Sequence, residues 1–231
     1  MAEDLAGWTA RPRPPRTPMQ ERTVRLEPLD PERHGSALFR AAEGPGADSR
    51  LWDWLPVGPF GSQAAFRGWL DPLPASDDPL FFAILTEPDG VPRGMASFLR
   101  ITPQHGVVEI GHIWLGVGLQ RTTAATEAMW LLARRAFDEL GYRRLEWKCD
   151  TRNARSRRAA LRLGFTFEGI FRQHMVIKGE NRDTAWFALL DRDWPLADAA
   201  FRGWLDPANC GPDGTQRRRL EEIRHAIASR A

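Results

Sequence analysis

Apolar positions recur along the chain with two periods. Val24, Leu26 and Leu29 sit between polar residues, which predicts a first strand over 23–29. Pro31 suits the opening position of a helix running to Ala42, and Gln63 to Leu70 reads as another, ended by Asp71-Pro72. The apolar run Leu80 to Thr86, the Asp-Gly turn within Glu87-Pro-Asp-Gly90, and the runs Gly94–Ile101 and Val107–Leu115 predict a three-strand antiparallel meander. From Gln120 to Leu140 the period changes: Ala125, Met129, Leu132, Ala136 and Leu140 fall at helical spacings on one face, and Gly141 stops the helix. A strand over 143–149 follows, then a helix over 153–163 with Asn153 as N-cap and Gly164 as stop. Strands over 165–175 and 184–190 complete the set, joined through Lys178-Gly-Glu-Asn181. A long helix between two strands makes them parallel neighbours, so the order predicts a mixed α/β sheet with one parallel pair.

The two ends read differently. Residues 1–19 contain Ala10-Arg-Pro-Arg-Pro-Pro-Arg-Thr-Pro18, where proline blocks helix and sheet alike, so a disordered or extended lead-in is expected. The body is expected over 20–195, with a helical extension over 196–231. There Asp213 with Gln216 suggests a capping box, and Leu220, Ile223 and Ile227 form a narrow apolar stripe that would pack on the body or on a second copy in a homodimer. Ala64 to Pro72 recurs word for word as 199–207, with no wider period around it; both copies read as short helices ending at Asp-Pro.

Composition narrows the classes. Lysine plus arginine number 32 and aspartate plus glutamate 30, which argues against a dedicated nucleic-acid binder. Two cysteines, Cys149 and Cys210, make neither a disulfide framework nor a structural metal site alone, so no metal is expected. No run of 18 apolar residues and no secretory-type h-region occurs, so a cytoplasmic location with no membrane partner is expected.

Two segments carry candidate chemistry. The strand Val108-Glu-Ile-Gly-His-Ile-Trp-Leu115 runs through Gly116-Val-Gly-Leu119 into the small residues that open the long helix. Free amides and the helix dipole at such a start favour a phosphate. The second segment reads Asn153-Ala-Arg-Ser-Arg-Arg-Ala-Ala-Leu-Arg-Leu-Gly-Phe165, then Thr166-Phe-Glu-Gly169. Strand, Asn, short helix, Gly-Phe, strand and Glu-Gly resemble the signature of the GNAT acetyltransferase superfamily. Over about 23–194 the likeness runs most strongly to the RimJ/RimL-type branch, the ribosomal-protein N-terminal acetyltransferases, whose late pattern is similar to Phe171-Arg, Lys178-Gly, Asp183 and Asp193-Trp-Pro195.

The resemblance implies a GNAT fold: a mixed, mostly antiparallel sheet of about 6–7 strands, a splayed middle strand and flanking helices. It implies an N-acetyltransferase that uses acetyl-CoA on a small amine, an aminoacyl conjugate or a protein N-terminus, by direct attack on the thioester. Other members of the fold use longer acyl-CoAs, carrier-protein thioesters or aminoacyl-tRNA, and some bind CoA without catalysis. Nucleic acid enters only if donor or acceptor is tRNA-linked. The pyrophosphate would rest on Gln120, Arg121, Thr122, Thr123, Ala124 and Ala125, with Thr123 standing where the pattern has its central glycine. Asn153 would steady the pantetheine, the backbone N–H near Leu115 would serve the oxyanion, and Arg158 among the arginines of its helix would meet the CoA 3′-phosphate, unless that basic face is only solvated.

An amine must lose a proton before it attacks. Glu109 is the first candidate for the base and His112 the second; strand alternation expects them on opposite faces. The family's tyrosine acid falls at Ala160, and the only tyrosine is Tyr142. Ser156, three residues after Asn153, stands where Rim-type enzymes carry a serine near the CoA sulfur, and the resemblance makes it the candidate donor to the departing thiolate. Cys149 reads as a strand residue, with an acyl-cysteine as a minor route. Trp52 and Trp54, within Leu51-Trp-Asp-Trp-Leu-Pro-Val-Gly-Pro-Phe60, either cap the core or wall an acceptor pocket, to which the strands around His174 would also contribute.

Overall fold

The run Leu80-Phe-Phe-Ala-Ile-Leu-Thr86 is apolar at every position but the last, and such a strand needs cover on both faces. The computed structural model, which describes residues 5–212 and 214–230, provides that cover. The strands are β1 (Met19–Gln20), β2 (Val24–Pro28), β3 (Leu80–Thr86), β4 (Val91–Thr102), β5 (Val107–Leu115), β6 (Arg144–Asp150), β7 (Thr166–Ile177) and β8 (Glu180–Leu190). They form one sheet in the order β1-β2-β3-β4-β5-β6-β8-β7. The sheet exceeds the expected strand number through the two-residue β1. All pairs are antiparallel except β5 with β6.

The helices are α1 (Pro31–Glu43), α2 (Gln63–Leu70), α3 (Thr123–Arg134), α4 (Ala154–Arg162), α5 (Trp194–Leu205) and α6 (Leu220–Ala228). Two cores result. Leu80, Phe82 and Ile84 point into the larger one with α3, α4 and α5, while Phe81, Ala83 and Leu85 point into the smaller one with α1 and α2. This alternation is the two-residue period of a strand read out on both sides.

The helix expected over 120–140 is shorter and ends in a different geometry. Thr122 is its N-cap, its Oγ1 accepting from Ala125 N at 3.1 Å, and Arg121 just before it takes a left-handed φ of 61°. Past Arg134 the chain widens into a π turn over Arg135–Glu139, where Leu140 N donates to Arg135 O at 3.1 Å. The N-terminal segment lies extended on the body: Trp8 Nε1 donates to Gln104 O at 2.7 Å and Arg11 Nε to Gly141 O at 2.9 Å. The Asp213 half of the expected capping box lies outside the described residues; α6 is instead capped where Arg219 N donates to Glu222 Oε2 at 2.9 Å.

Both copies of the repeat end helices at Leu-Asp-Pro, α2 at Leu70 and α5 at Leu205. They serve opposite cores, Phe66 and Leu70 packing in the smaller one and Phe201 and Leu205 in the larger. In the second copy Gly203 admits α6, since a side chain there would meet Ile223 at 3.3 Å.

Trp52 is a structural member of the smaller core. It is 1% exposed, with the rings of Phe60, Trp69 and Trp114 at 5.2, 6.1 and 5.9 Å, and a side chain at Gly58 would collide with it. Its expected place in a substrate wall is therefore corrected: burial, not ligand contact, accounts for it. Trp52→Ala is expected to cost about 3–5 kcal/mol of folding stability, read from the urea midpoint. A loss under about 1 kcal/mol would mean that the loop does not pack on the body.

Candidate active site

The parallel ladder between β5 and β6 holds for three residue pairs, Val107–Arg144, Val108–Leu145 and Glu109–Glu146. Beyond Glu109 the strands part, because β6 continues along β8 while β5 stays with β4. From Ile110 to Leu115, β5 has no ladder partner on the β6 side. A cavity of about 200 Å³ lies at this parting, walled by Glu109, His112, Trp147, Cys149, Asn153 and Ser156 and, farther out, by Trp54, His174 and Arg182.

Glu109 and His112 line the same cavity, contrary to simple alternation. Met95 pairs with Trp114 but Ser97 pairs with Gly111, so β5 spends three steps where β4 spends two. The extra residue is a bulge, and His112 within it takes a left-handed φ of 48°. That turn carries the imidazole to the cavity.

The two candidates differ in what they can do. Glu109 is 4% exposed, and its Oε2 receives Arg100 Nη1 at 2.6 Å and Lys148 Nζ at 3.0 Å. Lys148 is shared with Glu146 Oε2 at 2.7 Å, and its ammonium lies 3.6 Å from the Trp186 ring centre. Glu109 is thus part of a buried charge network, with Oε1 its only oxygen free of these cations. His112 has a pKa below the usual imidazole value, mainly through burial and further through the charge of Arg100. Its Nδ1 lies 3.0 Å from Ser97 Oγ, and that hydroxyl lies 3.1 Å from Gly111 O. Ser97 has one proton; given to Gly111 O, it leaves Ser97 Oγ as acceptor for Nδ1–H and puts the lone pair on Nε2. Neutral His112 is then a proton acceptor at Nε2.

Asn153 caps α4, its Oδ1 accepting from Ser156 N at 3.0 Å. Ser156 Oγ accepts from Trp147 Nε1 at 2.9 Å, which leaves its own proton as a donor, with the Cys149 sulfur as its neighbour in this structure. Cys149 is a partner of that hydroxyl; burial pushes its thiol pKa up, against the smaller opposing effect of the Ser156 bond. A thiol held protonated is a poor nucleophile. Tyr142 is 1% exposed, away from the cavity, and burial pushes its pKa up to about 12.

Leu115 ends β5 and residues 120–125 lie beyond it, none of them lining the cavity. Gln120 Nε2 donates to Leu115 O at 2.9 Å, which closes the loop onto the strand end. The amides of Thr123 and Ala124 are first-turn donors with no partner inside the helix. Thr123 Oγ1 lies 3.4 Å from the side-chain amide of Gln216, so its side chain turns toward the C-terminal segment and away from those amides. Arg158 lies elsewhere, on a depression shared with Arg162, Phe167 and Arg224. His174 reaches the cavity from β7 with Nδ1 2.9 Å from Thr184 Oγ1.

Sequence reasoning missed Arg100, Lys148, Arg182 and Thr184 as cavity residues. The signal for Lys148 was present: Glu146, Lys148 and Asp150 alternate along β6 and so share one face.

A second cavity of about 280 Å³ adjoins the first through Leu55, Pro56 and His112. Its other walls are mostly apolar, among them Val57, Trp69, Phe81 and Trp114. No group of three or more potential metal ligands occurs among the described residues, and no helix there is long and apolar enough to cross a membrane.

Comparison with known proteins gives a consistent outcome. Residues 23–166 match the acetyltransferase (GNAT) domain family. A "Putative ribosomal N-acetyltransferase YdaF" of Bacillus subtilis (strain 168) is 30% identical over 106 residues, covering 46% of this chain and 57% of that protein. The chain thus spans little more than half the length of that curated relative. A GCN5-related N-acetyltransferase from Brucella melitensis superposes with a TM-score of 0.93 at 48% identity, covering 95% of this chain and 99% of that one. A GNAT-family structure from Chromobacterium violaceum ATCC 12472 gives 0.77 at 43% identity, over 84% and 96%.

The thiol environments predict an order of labelling. Iodoacetamide at neutral pH is expected to reach half-exposed Cys210 at least about tenfold faster than buried Cys149, as mapped by peptide mass. Fast labelling of Cys149 would restore the covalent route.

Proposed function

The chain belongs to the acetyltransferase (GNAT) family, and we propose that it transfers an acetyl group from acetyl-CoA to an amine by direct attack. The observation that carries this reading is the parting of β5 from β6, which brings His112, Glu109, Asn153 and Ser156 around one cavity. The name of the Bacillus relative supports an amine on a protein as one form of the acceptor.

The residues present suit the donor. The unpaired amides at Thr123 and Ala124, with the positive end of α3 behind them, offer a pyrophosphate cradle. Arg121 stands beside them with its backbone already turned left-handed. The open edge of β5 from Ile110 to Leu115 offers backbone hydrogen bonds to an extended amide-bearing arm. Acetyl-CoA supplies an acyl group activated as a thioester.

The protein's own groups handle protons and charge. His112 Nε2 accepts the proton of the attacking amine; burial keeps the imidazole neutral and ready at neutral pH. Glu109, locked to Arg100 and Lys148, fixes the electrostatics of the wall rather than shuttling protons. A backbone N–H on the open edge of β5 where it borders the cavity, at Ile110–Ile113 rather than at Leu115 beyond it, stabilises negative charge developing on the carbonyl oxygen. Ser156 donates its hydroxyl proton in a hydrogen bond to the departing sulfur, with Trp147 holding the oxygen in place. Trp54, His174 and the apolar chamber beyond His112 receive the acceptor.

Titration calorimetry is expected to show saturable, micromolar binding of acetyl-CoA and of free CoA; absence of both in folded protein would reject the donor. His112→Gln should lower kcat about 10²–10⁴-fold with acetyl-CoA affinity unchanged. A base must be deprotonated, and burial holds this imidazole's pKa below the usual value, so the acid limb of wild-type kcat should lie at more acidic pH than an ordinary imidazole would give. An acid limb that persists unchanged in His112→Gln would transfer the role to another group. Ser156→Ala should slow transfer with little change in binding.

A further inference from the structure

Most cations on the cavity wall are already engaged. Arg100 and Lys148 are held by Glu109 and Glu146, and Asp150 is held by Arg152 at 3.0 Å. Arg182 differs. It rises from β8 opposite Met175, half-buried, and borders the cavity. Its one hydrogen bond among the described residues runs from Nε to Thr184 Oγ1 at 3.2 Å. Neither terminal nitrogen has a carboxylate or carbonyl partner there, although burial makes the charge costly enough to draw the guanidinium pKa down.

Its surroundings reinforce the imbalance. Thr184 Oγ1 is also bonded by His174 Nδ1, so the hydroxyl ties two basic side chains to one point. The pKa of His174 is held down by desolvation first, then by Arg182, Arg100 and Lys148, with Glu109 the opposing charge. Asp150 and Glu109 offset part of the cost of the Arg182 charge through space, but neither carboxylate bonds it, so its terminal nitrogens face the cavity end without an anionic partner. An unpaired, partly desolvated guanidinium is stabilised when an anion supplies the missing partner, and its two terminal N–H groups match a planar carboxylate.

We propose that Arg182 is an anchor for a carboxylate on the acceptor, placed close to the amine that is acylated. The inference rests on the acyl-transfer reading for the identity of that amine. It narrows the acceptor class to amines with a neighbouring carboxylate, such as an amino acid or a peptide N-terminus with an aspartate or glutamate within its first residues. The phosphates of the donor are a separate matter, since the cradle at Thr123 and Ala124 lies outside this cavity.

The test separates this inference from the reading beneath it. Succinate and its neutral counterpart succinamide are titrated into CoA-saturated protein, with tryptophan fluorescence as readout. Succinate is expected to bind about tenfold or more tightly than succinamide, with the preference lost in Arg182→Gln and partly kept in Arg182→Lys. Equal binding of the two ligands by wild type, which needs no variant to fold, would overturn the proposal. So would a preference unchanged in Arg182→Gln, or inorganic phosphate displacing succinate at lower concentration than succinate itself binds. Thiol release from acetyl-CoA is then measured with Ser-Asp-amide and Ser-Asn-amide dipeptides. Faster turnover of the aspartate peptide, abolished in Arg182→Gln, supports the anchor. Equal turnover of both sinks the anchor and leaves the transfer reaction standing. No turnover of either, alongside an Arg182-dependent succinate preference, sinks the transfer reading and leaves the anion site standing.

Discussion

A three-pair parallel ladder between β5 and β6 is the constraint on which the rest depends. α3 must carry the chain back from the end of β5 to the start of β6, which makes the two strands parallel neighbours. Once paired at Val107–Glu109, they are drawn in different directions: β6 by seven antiparallel pairs with β8, β5 by its meander with β4. The gap is the price of satisfying both. Backbone groups left open along β5 need hydrogen-bond partners, and a ligand with amide groups or ordered solvent can supply them. A site at a parting of strands therefore arises from topology before any side chain is specified.

Side chains then give the gap its chemistry through a fixed charge arrangement. Glu109, Glu146 and Lys148 hold one another in the wall, with Arg100 brought in at 2.6 Å from a bulge in β4. Asp78 pins that bulge, accepting from Arg100 N at 2.8 Å and Ile101 N at 2.9 Å. Buried charges of this kind are costly unless each has a partner, and breaking one pair leaves the other charge stranded. Their worth lies in holding fixed dipoles and charges where a reacting group would otherwise have to reorganise water. Against that background the loose guanidinium of Arg182 is the exception that a ligand would complete.

Much of this was legible in the sequence because its period is strong. The meander, the crossover helix and the Asn153 cap follow from alternation, helical spacing and capping chemistry, and the structure places each within a few residues of expectation. Two things were not legible. The bulge at His112 leaves no mark in an alternating run, so Glu109 and His112 were expected on opposite faces although both line the cavity. A non-glycine residue at φ 48° is set by the surroundings, here the β4 register and the Ser97 bond, and not by its own preference. The Trp52–Trp54 pair was ambiguous for a different reason: neighbouring aromatic residues in a proline-rich loop carry no period. One is sealed in the smaller core and the other borders the cavity.

The C-terminal segment bears on the same site from behind. α5 docks on α3 where Trp130 Nε1 donates to Asp198 Oδ1 at 2.8 Å, and Arg162 of α4 lies over Trp204 at 4.9 Å while its Nη1 donates to Thr126 Oγ1 at 3.2 Å. Asn209 then organises the following turn, accepting from Arg217 N at 2.7 Å and from Arg218 N at 3.0 Å, and the Gln216 side chain reaches Thr123. These contacts brace the head of α3, where Thr123 stands in the first turn. A side chain at that position leaves the first-turn amides open only when it is turned to the far side of the helix start. Gln216 approaches Thr123 Oγ1 at 3.4 Å, so the segment after β8 bears on how open the start of α3 is.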